Sequence, residues 1–199
     1  MPTTTSATTT TIKELSFVDA LDHVEAGAAF VDIRKVRDYL DVHIPGSIGN
    51  LHESGPGFAG RMRDCIPLEV PFVLMDAAEG PAPVDVAAAL RGKGFTVLGY
   101  VEDALNAWAR NKGTPVSTEV IEGNEAGGKM LLDVGDPGAT HVEGALRITS
   151  DRLWSRVDEV VEAADGGRVV VVAGYGVRAA LCVGILERHG ISEITYWKP

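Results

Sequence analysis

Apolar positions along the chain fall into short blocks of two kinds. Runs of four or five β-branched and aromatic residues bounded by glycine or proline predict buried strands, whereas apolar residues three and four apart predict helices. Ser16 ahead of Phe17-Val18-Asp19-Ala20-Leu21, with Val24 continuing the stripe and Gly27 ending it, predicts a short amphipathic helix. Ala29-Phe30-Val31-Asp32-Ile33 predicts a buried strand, and residues 34–39 a polar turn or short helix. His43-Ile44-Pro45-Gly46 is a turn, because proline fixes one dihedral and glycine accepts a positive φ. Residues 50–60 read as irregular loop and 61–66 as one or two helical turns. A strand over 71–75, a helix over 84–93 ended by Gly94, a strand over 95–101 and a helix over 102–108 complete the first half. Strands alternating with helices at these lengths predict an α/β fold with a mostly parallel sheet flanked by helices.

The sharpest block comes late. Val169-Val170-Val171-Val172 predicts a buried strand, Ala173 to Arg178 a glycine-bearing loop, and Ala179 to Leu186 an apolar helix. A strand, loop and helix in that order place a nest of amide N–H groups at the positive end of a helix dipole, which suits an anion. Ala173, Gly174, Tyr175, Gly176, Val177 and Arg178 form the candidate anion-binding loop, with Arg178 offering a guanidinium fork. What this loop lacks is a nucleophile.

The second half repeats the first. Leu131-Leu132-Asp133-Val134 answers Phe30-Val31-Asp32-Ile33, and His141-Val142-Glu143-Gly144-Ala145 answers His43-Ile44-Pro45-Gly46-Ser47. Leu186-Glu187-Arg188-His189-Gly190-Ile191 answers Leu90-Arg91-Gly92-Lys93-Gly94-Phe95. An offset of about one hundred residues that holds for several segments in one order is economically explained by an internal duplication. Residues 115–128, polar and carrying Gly123, Gly127 and Gly128, are the expected connection. The second copy is trimmed, lacking a counterpart of the Trp108 helix, so its sheet is expected to need cover from the other copy or from another subunit.

Asp32-Ile33-Arg34, Tyr39 and His43-Ile44-Pro45-Gly46-Ser47-Ile48 resemble the strand-and-turn signature of rhodanese-like (sulfurtransferase) domains, and Val169 to Arg178 resembles their active-site loop. The resemblance implies two rhodanese-like domains: 13–114, a linker 115–128, and 129–199, after a Thr-rich tail 1–12 expected to be disordered. Phe58-Ala59 through Pro67, Gly94-Phe95, Val97-Leu98-Gly99-Tyr100, Trp108 and Gly113 resemble, more narrowly, the tandem rhodanese region that follows a metallo-β-lactamase domain in persulfide dioxygenase-like fusions. In active members of the family a cysteine opens the loop and carries the sulfane sulfur as a persulfide. The matching positions here are Ala173 and, in the first copy, Asp76, so the resemblance implies the fold with both catalytic cysteines missing.

Composition narrows the classes further. With 45% apolar residues in 199, the chain has ample material for a packed core. A formal charge of -10 with no basic stripe argues against nucleic acid or an anionic membrane as partner. No apolar run approaches a membrane span and the start lacks the regions of a secretory signal, so a cytoplasmic protein is expected. Two cysteines are too few for a disulfide framework or a zinc cage, and the five histidines show no ligand spacing, so neither a metal nor a cofactor is expected.

Chemistry then turns on the thiols. Sulfur transfer needs a reachable thiolate, which alanine cannot supply. Cys182 falls inside the apolar helix and reads as a core residue, and Cys65, although beside Arg61 and Arg63, precedes Ile66-Pro67 and reads as packing. Asp32 and Asp133 at strand ends, and His43 and His141 in turns, read as scaffold that binds the next turn's amides. Asp76 with Glu79 lacks the nearby lysine that a phosphoryl acceptor wants. The expectation is a catalytically inactive binding or assembly protein, with a small oxyanion (sulfate, thiosulfate or phosphate) held in the second-domain loop. A homodimer, or a separately encoded metallohydrolase or other sulfur-metabolism protein, is the expected kind of partner. The alternative is a thiosulfate or persulfide sulfurtransferase or sulfur carrier using a relocated cysteine, Cys65 or Cys182.

Overall fold

The computed structural model describes residues 11–49, 55, 57–75, 80–123, 130–174 and 176–198. The first half of the chain forms α1 (Phe17–Glu25), β1 (Ala29–Asp32), α2 (Val36–Asp41), β2 (Ile48–Gly49), α3 (Phe58–Cys65), β3 (Phe72–Met75), α4 (Pro83–Arg91), β4 (Val97–Val101) and α5 (Ala104–Asn111). The second forms β5 (Glu119–Glu122), β6 (Met130–Asp133), β7 (Leu146–Arg147), α6 (Ser150–Ala164), β8 (Val169–Val172), α7 (Gly176–Arg188) and β9 (Ile194–Lys198). Two sheets result, ordered β2-β1-β3-β4 and β5-β9-β8-β6-β7, with every strand pair parallel. Glu14 adds a single parallel bridge to Tyr100 at the outer edge of β4. The fold is α/β with parallel sheets flanked by helices, as the alternating pattern predicts.

Local signals explain the first elements. The Ser16 side chain accepts a hydrogen bond from the Asp19 amide at 3.1 Å and so starts α1. Gly27, at φ +107°, takes the left-handed conformation just past the helix, where a side chain would be strained. β1, β3 and β8 are buried at every position, because helices cover one face and apolar neighbours the other.

Three elements depart from the sequence reading. The polar stretch expected to be only a connection contains β5, whose Val120-Ile121 pair between two glutamates suits an exposed edge strand pairing with β9. The fifteen-residue α6 presents Leu153, Val157, Val160 and Ala164 to the core at helical spacing, interrupted only by non-helical angles at Arg156. β9, with Ile194, Thr195, Tyr196 and Trp197, is a β-branched and aromatic strand that closes beside β8. The second sheet is therefore not bare: α6 and α7 cover one face, and Val170, Val172 and Thr195, which alternation points to the other, are 0%, 3% and 1% exposed.

The two sheets meet on α7. Its residues 179–186 are all buried, as expected of a helix apolar on every side. One side packs on β8 and β9, and the other on β2 and α2. Small residues allow that approach: a Cβ on Gly49 would lie 2.9 Å from the Ala180 Cβ, and a Cβ on Gly184 would run into the Ser47 carbonyl oxygen.

Polar bonds close the far end of the seam. Glu187 accepts from the Gly46 amide at 2.7 Å and lies 3.0 Å from His43 Nε2, while His43 Nδ1 is 2.8 Å from the Tyr39 carbonyl oxygen. The His43 and Tyr39 rings stack at 4.3 Å. Arg188 donates to the carbonyl oxygens of Ala28 and Gly27, each at 3.2 Å.

Candidate functional site

Parallel α/β sheets present their binding crevices at the carboxyl ends of their strands. In the second sheet that edge is made by the segments following β6, β7 and β8. Ala173, which follows β8, is 1% exposed; its methyl belongs to the main apolar core and its carbonyl oxygen accepts from the Tyr196 hydroxyl at 3.1 Å. Gly174 comes next, and Tyr175 lies outside the described residues, as does Asp76 of the first half.

α7 begins at Gly176, so Gly176, Val177 and Arg178, expected in the loop, form its first turn. First-turn amides have no acceptor within their own helix and sit at the positive end of its dipole. Gly176 packs tightly on α2, since a Cβ there would lie 3.0 Å from Val36 Cγ1. Arg178, with 15% of its side chain exposed, donates to Asp136 Oδ1 at 2.7 Å.

The described residues of this segment do not converge on one space. Gly174 and Gly176 line a cavity of about 900 Å³ between α2, β5 and β9, together with Lys35, Val120, Tyr196 and Lys198. Arg178 lines a different cavity of about 760 Å³, where Arg61, Arg63 and Cys65 of α3 meet Asp136 and Arg152. The segment is thus a wall between two chambers, with glycine backbone toward one and guanidinium toward the other. Sequence reasoning missed Asp136 and Arg152, which stand on elements brought together only by tertiary packing.

The two cysteines, Cys65 and Cys182, are held away from solvent. Both are free and buried. Cys65 lines the second cavity, yet burial pushes its thiol up to about 11; a hydrogen bond with Ser150 opposes the rise, and the Asp151 and Asp64 charges add to it. Cys182 is raised well above the usual thiol range, first by burial and then by its neighbour Cys65. At pH 8 a thiol near 11 is ionised in about one molecule per thousand, against roughly a quarter for an ordinary cysteine. Iodoacetamide is therefore expected to leave both cysteines of the native chain unmodified at pH 8 over a time that fully alkylates the urea-unfolded chain. Mass spectrometry showing rapid native alkylation of Cys65 would contradict this.

The strand-end carboxylates hold their own loops. Asp32 accepts from the Arg34 amide at 3.0 Å and pairs with its guanidinium at 2.6 Å. Burial alone would raise Asp133, but bonds from the Gly135 amide, His141 and the Val142 amide, with the Arg147 charge, outweigh it and hold the carboxyl below the usual range. His43, fully buried, and His141, bound to Asp133 at 3.1 Å, are engaged with protein partners. Among the described residues no group of three His, Cys, Asp or Glu is arranged to hold a metal ion. Among them, too, no helix is long and apolar enough to cross a membrane.

No protein-family model matches the chain, and no curated protein matches it in sequence. Among solved structures it is similar to a thiosulfate sulfurtransferase from Pseudomonas aeruginosa, with 15% identity over 94% of this chain and 41% of that one, at a TM-score of 0.42. A variant of EanB, captured as a cysteine persulfide in a tetrahedral intermediate state with ergothioneine, matches at 14% identity over 94% of this chain and 59% of that one, TM-score 0.41. SseA of Escherichia coli, a 3-mercaptopyruvate sulfotransferase with the "Rhodanese" fold, matches at 17% identity over 94% and 98% of the two chains, TM-score 0.35. The chain thus spans 41% and 59% of the length of the first two.

Proposed function

We propose that this chain is a rhodanese-like protein built from two copies of one unit, approximately 13–114 and 129–199 joined through 115–128, that binds a ligand without transferring sulfur. Corresponding strand orders support the duplication: β2-β1-β3-β4 with its Glu14 bridge matches β7-β6-β8-β9-β5 place for place. Asp32 and Asp133 close the corresponding strands β1 and β6, each bonding an amide two residues on.

One observation carries the absence of transfer. The residue at the end of β8, where a sulfur-carrying thiol is expected in the family that the sequence resembles, is Ala173, and a methyl group forms no bond to sulfane sulfur. Cys65 and Cys182 do not substitute for it, since burial keeps both in the unreactive thiol form. The ligand supported best is a small oxyanion, drawn to the first-turn amides of α7 at the positive end of its dipole.

The test is an assay of sulfur transfer from thiosulfate to cyanide, paired with intact-mass measurement after thiosulfate or polysulfide exposure. Thiocyanate at the uncatalysed rate and no gain of sulfur are expected. Turnover, or a stable added sulfur, that vanishes in Cys65→Ser or Cys182→Ala would establish the enzyme reading instead.

A further inference from the structure

We propose that the open cleft between α3 and the α6 to α7 side is a binding site for a small organic anion carrying two oxyacid groups, such as a dicarboxylate. The inference goes beyond the Ala173-Gly174 backbone, which does not line this space and shares only Arg178 of its segment with it, and it holds whatever the sulfur-transfer assay finds.

Charge is the first argument. The chain carries -10 overall, yet this one cavity gathers Arg61, Arg63, Arg152 and Arg178 against Asp64, Asp136 and Asp151, a local balance of 4 - 3 = +1. Two of the acids are already engaged: Asp136 with Arg178 at 2.7 Å, and Asp151 with Arg152 at 3.6 Å. Arg63 has no partner among the described residues. An anion entering here meets guanidinium forks in a protein whose surface elsewhere repels it.

Placement is the second argument. Arg61 and Arg63 stand on α3, while Arg152 and Arg178 stand on α6 and α7, so the cations face each other from two walls. At about 760 Å³ the space is in the range of organic-ligand pockets and far larger than one oxyanion requires. A ligand with an acidic group at each end engages both walls, and a compact or single-headed anion engages one. The first turn of α6 adds the Ser150 and Asp151 amides on its side, because Thr149 makes no side-chain cap and its carbonyl oxygen takes only the Arg152 amide. Asp136 holds the mostly buried Arg178 guanidinium in place, so one fork is oriented before a ligand arrives.

Titration calorimetry of the full chain at low ionic strength, with succinate as the two-headed probe and acetate and inorganic phosphate as controls, tests this. Saturable succinate binding is expected, tighter than that of either control. Arg63→Ala and Arg152→Ala are each expected to weaken it at least about tenfold, the loss of one charge-assisted hydrogen bond. Arg37→Ala, an arginine with 90% of its side chain exposed on α2, is expected to leave it unchanged. Circular dichroism of each variant verifies that it is folded. Absence of saturable succinate binding, equal binding of acetate or phosphate, an unchanged affinity in both variants, or a loss in only one of them would each overturn the two-wall site.

Discussion

Replacing Gly184 by alanine is expected to lower stability by about 2 kcal/mol, and by valine by more than about 3, read as the shift in urea-unfolding midpoint. Two effects compete. In an exposed helix, Gly→Ala gains up to about 1 kcal/mol from propensity alone. At this position the new Cβ would meet the Ser47 carbonyl oxygen and crowd the Ile48 backbone at 3.0 Å. Backbone cannot rotate away as a side-chain tip can, so α7 must lift from β2 and the packing around Ala180 opens with it. The steric effect wins. Gly60 in α3, where a Cβ meets nothing within 4 Å, supplies the contrast: Gly60→Ala is expected to gain about 1 kcal/mol. A Gly184→Ala chain as stable as its parent would show that the α7 to β2 approach is looser than described.

Glu187→Ala is expected to cost about 3 kcal/mol, whereas Glu187→Gln costs less than about 1. The Glu187 side chain is 9% exposed and His43 is fully buried. His43 Nδ1 faces the Tyr39 carbonyl oxygen at 2.8 Å, and Nε2 makes its short contact with Glu187 at 3.0 Å. Alanine leaves Nε2 and the Gly46 amide without a partner in the interior. Glutamine restores both bonds, its NH2 donating to Nε2 and its oxygen accepting from Gly46. Equal midpoints for the two variants in urea unfolding would refute the hydrogen-bond account.

Much of the fold is legible in the sequence because strands buried on both faces, such as Val169-Val170-Val171-Val172, leave continuous apolar runs between glycines. The α6 stripe is harder to see: Leu153, Val157 and Val160 are diluted by the charges of a partly solvated helix, and Arg156 breaks its regularity. β5 hides because an edge strand buries little, so its composition resembles a loop. For the candidate site, sequence reasoning locates the strand end and Ala173 but not the direction of Arg178. That direction is set by Asp136, forty-two positions away, on a segment with no periodicity to betray it. Likewise the guanidinium groups of α3 and α6 face one cavity only because the two helices pack together, a contact that no local pattern encodes.

The burial of α7 on both sides has a thermodynamic consequence. Detaching either sheet from this helix would bare to water the side of it that the sheet covers, along the enclosed run from Ala179 to Leu186, so neither sheet has a low-energy route to melting by itself. Amide exchange in both should report one shared opening free energy, with β3 and β8 slowing together as denaturant is withdrawn.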